Sequence, residues 1–184
     1  MSRPLIYLAG PGVFRADAQE YGISLKRVCE SVGLEGLWPL DASIGDVTVT
    51  PNTTAKQIYR GNINLIEQSD GVIADISPFR GPNMDPGTAF EIGFAIATDT
   101  PVFAWSDDLR ALLDRTLRGA GDSCAVQHDR GEYRDMNMML IEDFGLPENL
   151  MISCSVKGIY DCAAEAILAA AGILAGDVKQ AARA

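Results

Sequence analysis

Short apolar runs alternate along this chain with longer stretches whose apolar residues recur every three or four positions, and this alternation restricts the fold more than any other feature. Residues 4–10 (PLIYLAG) read as a buried strand that runs into a GPGVF turn. Over 17–32, Tyr21, Leu25, Val28 and Val32 share one helical face, and Gly33 stops the helix. The pattern repeats, with LWPL at 37–40 as a second strand, a helix over 54–68, and GVIADI at 71–76 as a third strand. Asp85 before Pro86 supplies an N-cap and a first-turn proline for a helix reaching about residue 98, and PVFAW at 101–105 makes a fourth strand. A helix is expected over 106–122, loop with short elements over 123–150, and a last helix over 158–174, where Ile159, Cys162, Ala163, Ala166, Ile167 and Ala170 keep helical spacing. Residues 175–184 read as a frayed tail. Strand and helix in alternation imply an α/β fold, a parallel sheet covered on both faces, in a single domain over 1–174.

Charge narrows the partners. A formal net charge of −10, with no basic stripe, argues against DNA, RNA or an anionic membrane surface, each of which calls for clustered Lys and Arg. The four cysteines form no CxxC pair and His128 is the single histidine, so reduced structural thiols are expected and a metal site is not. Neither a leader nor an apolar stretch approaching the roughly 20 residues of a membrane span is visible, so a cytoplasmic location is expected. The first turn reads AGPGVF rather than GxGxxG, and no GxxxxGK[ST] loop occurs, so no nucleotide cofactor is expected.

In open parallel sheets the ligand crevice lies beyond the carboxyl ends of the strands, which gathers GPGVF, Asp41 and SPFRGPNMD at one site. The next helix carries the chain's most conspicuous residue. In TAFEIGFAIA (88–97) Glu91 is the sole ionisable group of a segment apolar nearly all round, so the helix is expected to be buried. A carboxylate there loses hydration worth several kcal/mol unless other groups replace it, so a neutral residue would be the cheaper structural choice. Either it ties two elements together by hydrogen bonds or it does chemistry. Asp85 is a good helix cap, and its position in the loop after the third strand also suits it to accept a ligand hydroxyl.

YLAGP at 7–11, NINLIEQSD at 62–70, DPGTAFEIGFA at 85–95 and PENLM at 147–151, taken in that order, resemble the nucleoside 2-deoxyribosyltransferase family over most of the chain. The aspartate six residues before the glutamate is the most specific part. The resemblance implies a flavodoxin-like three-layer sandwich with about five parallel strands. It implies Glu91 as a nucleophile oriented by Tyr7, with exchange of the base of a 2′-deoxyribonucleoside through a deoxyribosyl-glutamate and net retention. Asp85 and Asn149 fall where the family binds the sugar 5′-hydroxyl, the asparagine reaching in from a neighbouring subunit, so a homo-oligomer is implied. Asn62 matches a position that is aspartate in some members and contacts the base, but an amide has no proton to deliver as an acid. Asp75 and Asp41 are then candidate donors. Gly10 belongs to the first binding turn, and Phe14 and Trp38 are candidates for the base pocket. The terminus AARA lacks the aromatic and carboxylate found in better-known members, so that contact is not carried over.

Two other functions fit the same residues. A 2′-deoxynucleoside 5′-monophosphate N-glycosidase would need cations for phosphate, and Arg80 is near in sequence while Asp85 would repel a dianion. A non-catalytic nucleoside-binding domain would tolerate loss of the Glu91 charge.

Overall fold

The computed structural model describes residues 2–41, 50–119, 126–127, 130–135 and 137–181. Its centre is a five-stranded sheet built from β1 (Leu5–Ala9), β2 (Glu35–Leu37), β3 (Gly71–Asp75), β4 (Val102–Trp105) and β7 (Ile159–Tyr160) in the order β2-β1-β3-β4-β7. Every pairing in it is parallel. A two-stranded antiparallel ribbon, β5 (Val126–Gln127) with β6 (Tyr133–Arg134), stands apart.

The pleat sends alternate side chains of β1 to opposite faces. Ile6 and Leu8 join a core with Cys29 of α1 (Ala18–Ser31) and with Ala166, Ile167 and Ala170 of α6 (Ala163–Ala181). Tyr7 and Ala9 enter a second core with Ile66 of α2 (Pro51–Glu67) and Ile92 and Ala95 of α3 (Pro86–Ala97). The period of two therefore delivers Tyr7 to the layer that carries Glu91. Beyond β4 come α4 (Leu112–Gly119) and the short α5 (Leu150–Ser153). The chain leaves β1 toward β2 on one side and reaches β3 on the other, so a topological switch point opens at the carboxyl end of β1.

Several expectations are corrected. The second strand is Glu35–Leu37 rather than 37–40, because Pro39 offers no N–H to a ladder and opens a 3-10 turn, Pro39–Asp41. The fourth helix begins at Leu112 rather than 106: the Ser106 hydroxyl accepts the Asp108 N–H and the Asp108 carboxylate accepts the Arg110 N–H, so local bonds compete with the helix. Ile159 does not start the last helix but pairs beside Ala104 as an edge strand, and α6 opens at Ala163. Finally, α3 is not buried all round, since Phe90, Gly93, Ile96 and Ala97 leave one face open to solvent. The last helix also continues to Ala181, through most of the stretch read as a tail, while the expected helical residues beyond 119, with Cys124 and His128, lie outside those described.

Candidate active site

Gly10 ends β1 with φ of 147°, in the region that favours glycine, and a Cβ there would meet the Asp75 Cβ at 2.6 Å. The chain can therefore turn sharply at the switch point, and a cavity of about 750 Å³ opens beside it, within the range of small-molecule sites. Its walls come from the turn after β1, the start of α1, the turn after β2, the middle of α2 and the first turns of α3.

Glu91 lies on this wall, partly buried. The fully buried Tyr7 hydroxyl donates to Glu91 Oε1 at 2.6 Å, and Asn62 Nδ2 donates to the same oxygen at 3.4 Å. Burial nonetheless dominates the carboxyl, which is pushed from 4.5 up to about 7; the tyrosine bond opposes this, Asp85 adds repulsion, and the Asn62 bond opposes it weakly. The phenol in turn is raised by burial and by the neighbouring carboxylate, so it stays a proton donor.

Asp85 caps α3 as its sequence suggested, and Oδ2 accepts both the Thr88 N–H at 2.9 Å and the Thr88 hydroxyl at 3.0 Å. Oδ1 has no hydrogen-bond partner among the described residues, and Asp85 lines the cavity. Cap and ligand acceptor are thus compatible in one side chain. Phe14 lines the cavity too, stacked on Phe79 at 5.5 Å, and the Arg80 guanidinium sits 4.5 Å over the Phe79 ring.

Not every candidate converges here. Asp41 does not line the cavity, since its carboxylate bonds Lys26 Nζ at 2.8 and 2.9 Å and accepts the Trp38 N–H. Trp38 is core, packed edge-on against Tyr21. Asp75, held above the usual carboxylate range by burial, borders a separate small pocket with Tyr21 and Trp105 and accepts the Ser77 N–H. Asn149 caps α5, with Nδ2 donating to Glu142 and Oδ1 accepting the Met151 N–H, and it does not line the cavity of its own chain.

Sequence reasoning missed Thr88, Gln19, Gln57 and Ile58, which also line the cavity. Gln57, Ile58, Gly61 and Asn62 recur at helical spacing, so one face of α2 was available as a signal. The described residues with metal-ligating groups close together, Asp161, Cys162 and Glu165, are exposed and stand apart from this cavity.

A carboxylate on the wall of a cleft at the switch point of a doubly wound sheet defines a small-molecule site of the α/β type. The chain belongs to the nucleoside 2-deoxyribosyltransferase family, whose sequence model matches residues 6–151. It is 31% identical over 157 residues to an uncharacterised protein of Schizosaccharomyces pombe, covering 80% of this chain and 74% of that one. Among solved structures it is similar to a 2-deoxyribosyltransferase from Leishmania mexicana, with a TM-score of 0.70 and 29% identity over 92% of this chain and 97% of that one. A 2-deoxyribosyltransferase from Bacillus psychrosaccharolyticus shares the fold at a TM-score of 0.56 and 18% identity, covering 88% of each chain. In the described residues no helix is long and apolar enough to cross a membrane.

Proposed function

We propose that this protein is a nucleoside 2-deoxyribosyltransferase that exchanges the base of a 2′-deoxyribonucleoside. The observation that carries the reading is the 2.6 Å bond from the buried Tyr7 hydroxyl to a glutamate on the wall of a nucleoside-sized cavity. Glu91, ionised, attacks C1′ as the glycosidic bond breaks, and the sugar's oxocarbenium character is quenched in a covalent ester. The leaving base takes the C–N electron pair and a proton. Asn62 has no proton to give, and Asp75 borders the separate small pocket rather than this cavity, so we assign the supply to solvent water. A second base then attacks C1′ through a ring nitrogen from the vacated side, gives up its proton to solvent, releases the Glu91 carboxylate, and leaves the anomeric configuration unchanged.

Asp85 Oδ1 accepts the sugar 5′-hydroxyl in this scheme, and Asn149 approaches the site of a neighbouring subunit, which makes the working enzyme a homo-oligomer. The apolar lining residues Val13, Phe14, Leu40 and Ile58 suit the faces of a base. Hydrolysis of a 5′-monophosphate is disfavoured by charge: the described lining contains Asp85 and Glu91 but no lysine or arginine.

Incubation with deoxyinosine and adenine tests the reading. Base exchange in excess of hydrolysis is expected, with a deoxyribosyl adduct on Glu91 in the intact mass. Glu91→Gln should lose at least about 10³-fold in turnover while still binding nucleoside; undiminished exchange in that variant would defeat the reading.

A further inference from the structure

Arg115 and Glu148 are buried ions that the chemistry above does not use. Their side chains are each 2% exposed and meet at 3.2 Å. Such a pair seldom stabilises a fold more than apolar residues of similar volume, because both ions lose their hydration, so its value lies in what its hydrogen bonds fix. Glu148 Oε2 accepts the Met84 N–H at 3.0 Å besides facing Arg115, and Oε1 accepts the Asn149 N–H at 3.0 Å. Arg115 also donates to the carbonyls of Asp108, at 3.1 Å, and of Pro147. One ion pair thus joins the loop after β4, the approach to α5 and the residue directly before Asp85.

Asp85 is consequently fixed from both sides. Its chain is held at Met84 by Glu148, and its Oδ2 is held by Thr88, so Oδ1 keeps one direction on the cavity wall. We propose that Glu148, itself held by Arg115, is a positioning residue for Asp85 and so sets how well the cavity accepts a sugar hydroxyl. This rests on the reading that Asp85 receives the 5′-hydroxyl.

The chemistry of the clamp supplies a specific lesion. Glu148 faces backbone N–H donors on both oxygens, and a glutamine can accept with only one of its two ends, so Glu148→Gln must release either Met84 or Asn149. The test is equilibrium binding of 2′-deoxyadenosine and 2′,5′-dideoxyadenosine by calorimetry, in a Glu91→Gln background so that turnover does not interfere. In that background the hydroxyl should be worth about tenfold in Kd or more, as for a hydrogen bond to a charged acceptor. Adding Glu148→Gln should shrink the ratio to about twofold by weakening the hydroxylated ligand alone. Equal weakening of both ligands, or an unchanged ratio, would overturn the clamp and reduce Glu148 to a structural ion. If the Glu91→Gln parent does not discriminate between the ligands, the role of Asp85 fails and the clamp proposal with it. Should Glu148→Gln not fold, Glu148→Asp, which keeps the charge beside Arg115 but shortens the reach to Met84, is held to the same ratio.

Discussion

Glu91 illustrates two forces acting in opposite directions on one group. Burial favours the neutral acid, the Tyr7 hydroxyl favours the anion, and burial wins, leaving the carboxyl near 7. As the proposed nucleophile must be ionised, exchange activity should rise with pH through about 7. Tyr7→Phe removes the opposing bond, so the ascending limb should move up by about one unit and turnover at about pH 7 should fall about fivefold. A pH–rate profile of the two proteins checks this, and an unmoved limb would separate Tyr7 from the titration. The same shift bears on stability with a definite sign. A carboxyl raised in the folded state from 4.5 to about 7 contributes nothing below the lower value, and opposes folding increasingly between the two. Glu91→Gln should therefore melt higher than the parent at pH 8, by on the order of 2 kcal/mol, and match it near pH 4. Thermal melts at both values decide the matter.

At the scale of elements, Asp85 caps α3 and is the proposed ligand acceptor, and the two roles can be separated. Asp85→Ser keeps a side-chain oxygen for the Thr88 N–H, so α3 should lose less than about 0.5 kcal/mol. The charge on the cavity wall goes, and KM for a 2′-deoxynucleoside should rise about tenfold. A denaturant titration beside steady-state kinetics tests both, and a matched fall in stability would mean that the cap was the whole role. The cap was visible beforehand because Asp-Pro-Gly-Thr is a local signal. Strands β1, β3 and β4 were visible for the same kind of reason, as continuous apolar runs bounded by turns. What sequence could not supply was tertiary. Ile159 and Tyr160 form a strand because β4 offers them an open edge, and no periodicity within two residues records that. Gln19 meets the cavity only through the packing of α1, and Glu148 acquires its role from Met84, distant in sequence.

For the whole molecule, the open face of α3 is the unresolved balance of apolar area. Phe90 is 53% exposed and lies 6.0 Å from Tyr59 of α2, itself 54% exposed, while α5, packed on α3, adds Met151 at 71%. On the same face of α3 as Phe90, Gly93 meets nothing within 4 Å where a Cβ would be, so another chain can come close to the helix there. Asn149 stands at the start of α5, beside Met151 and outside the cavity of its own chain. In the proposed homo-oligomer, a second copy seated on this face would bury the apolar residues and carry its own Asn149 with it, so the proposal links assembly to chemistry. Phe90→Glu places a charge in the centre of that contact, where an unpaired buried ion costs several kcal/mol, yet it faces solvent in the isolated chain. The variant should therefore fold with a normal circular dichroism spectrum but sediment as a smaller species than the parent. Its exchange activity should fall at least about tenfold and recover in part as protein concentration rises, because mass action restores the contact. A variant that sediments as the parent does, or one that becomes fully monomeric with undiminished exchange, would disconnect this face from the active site.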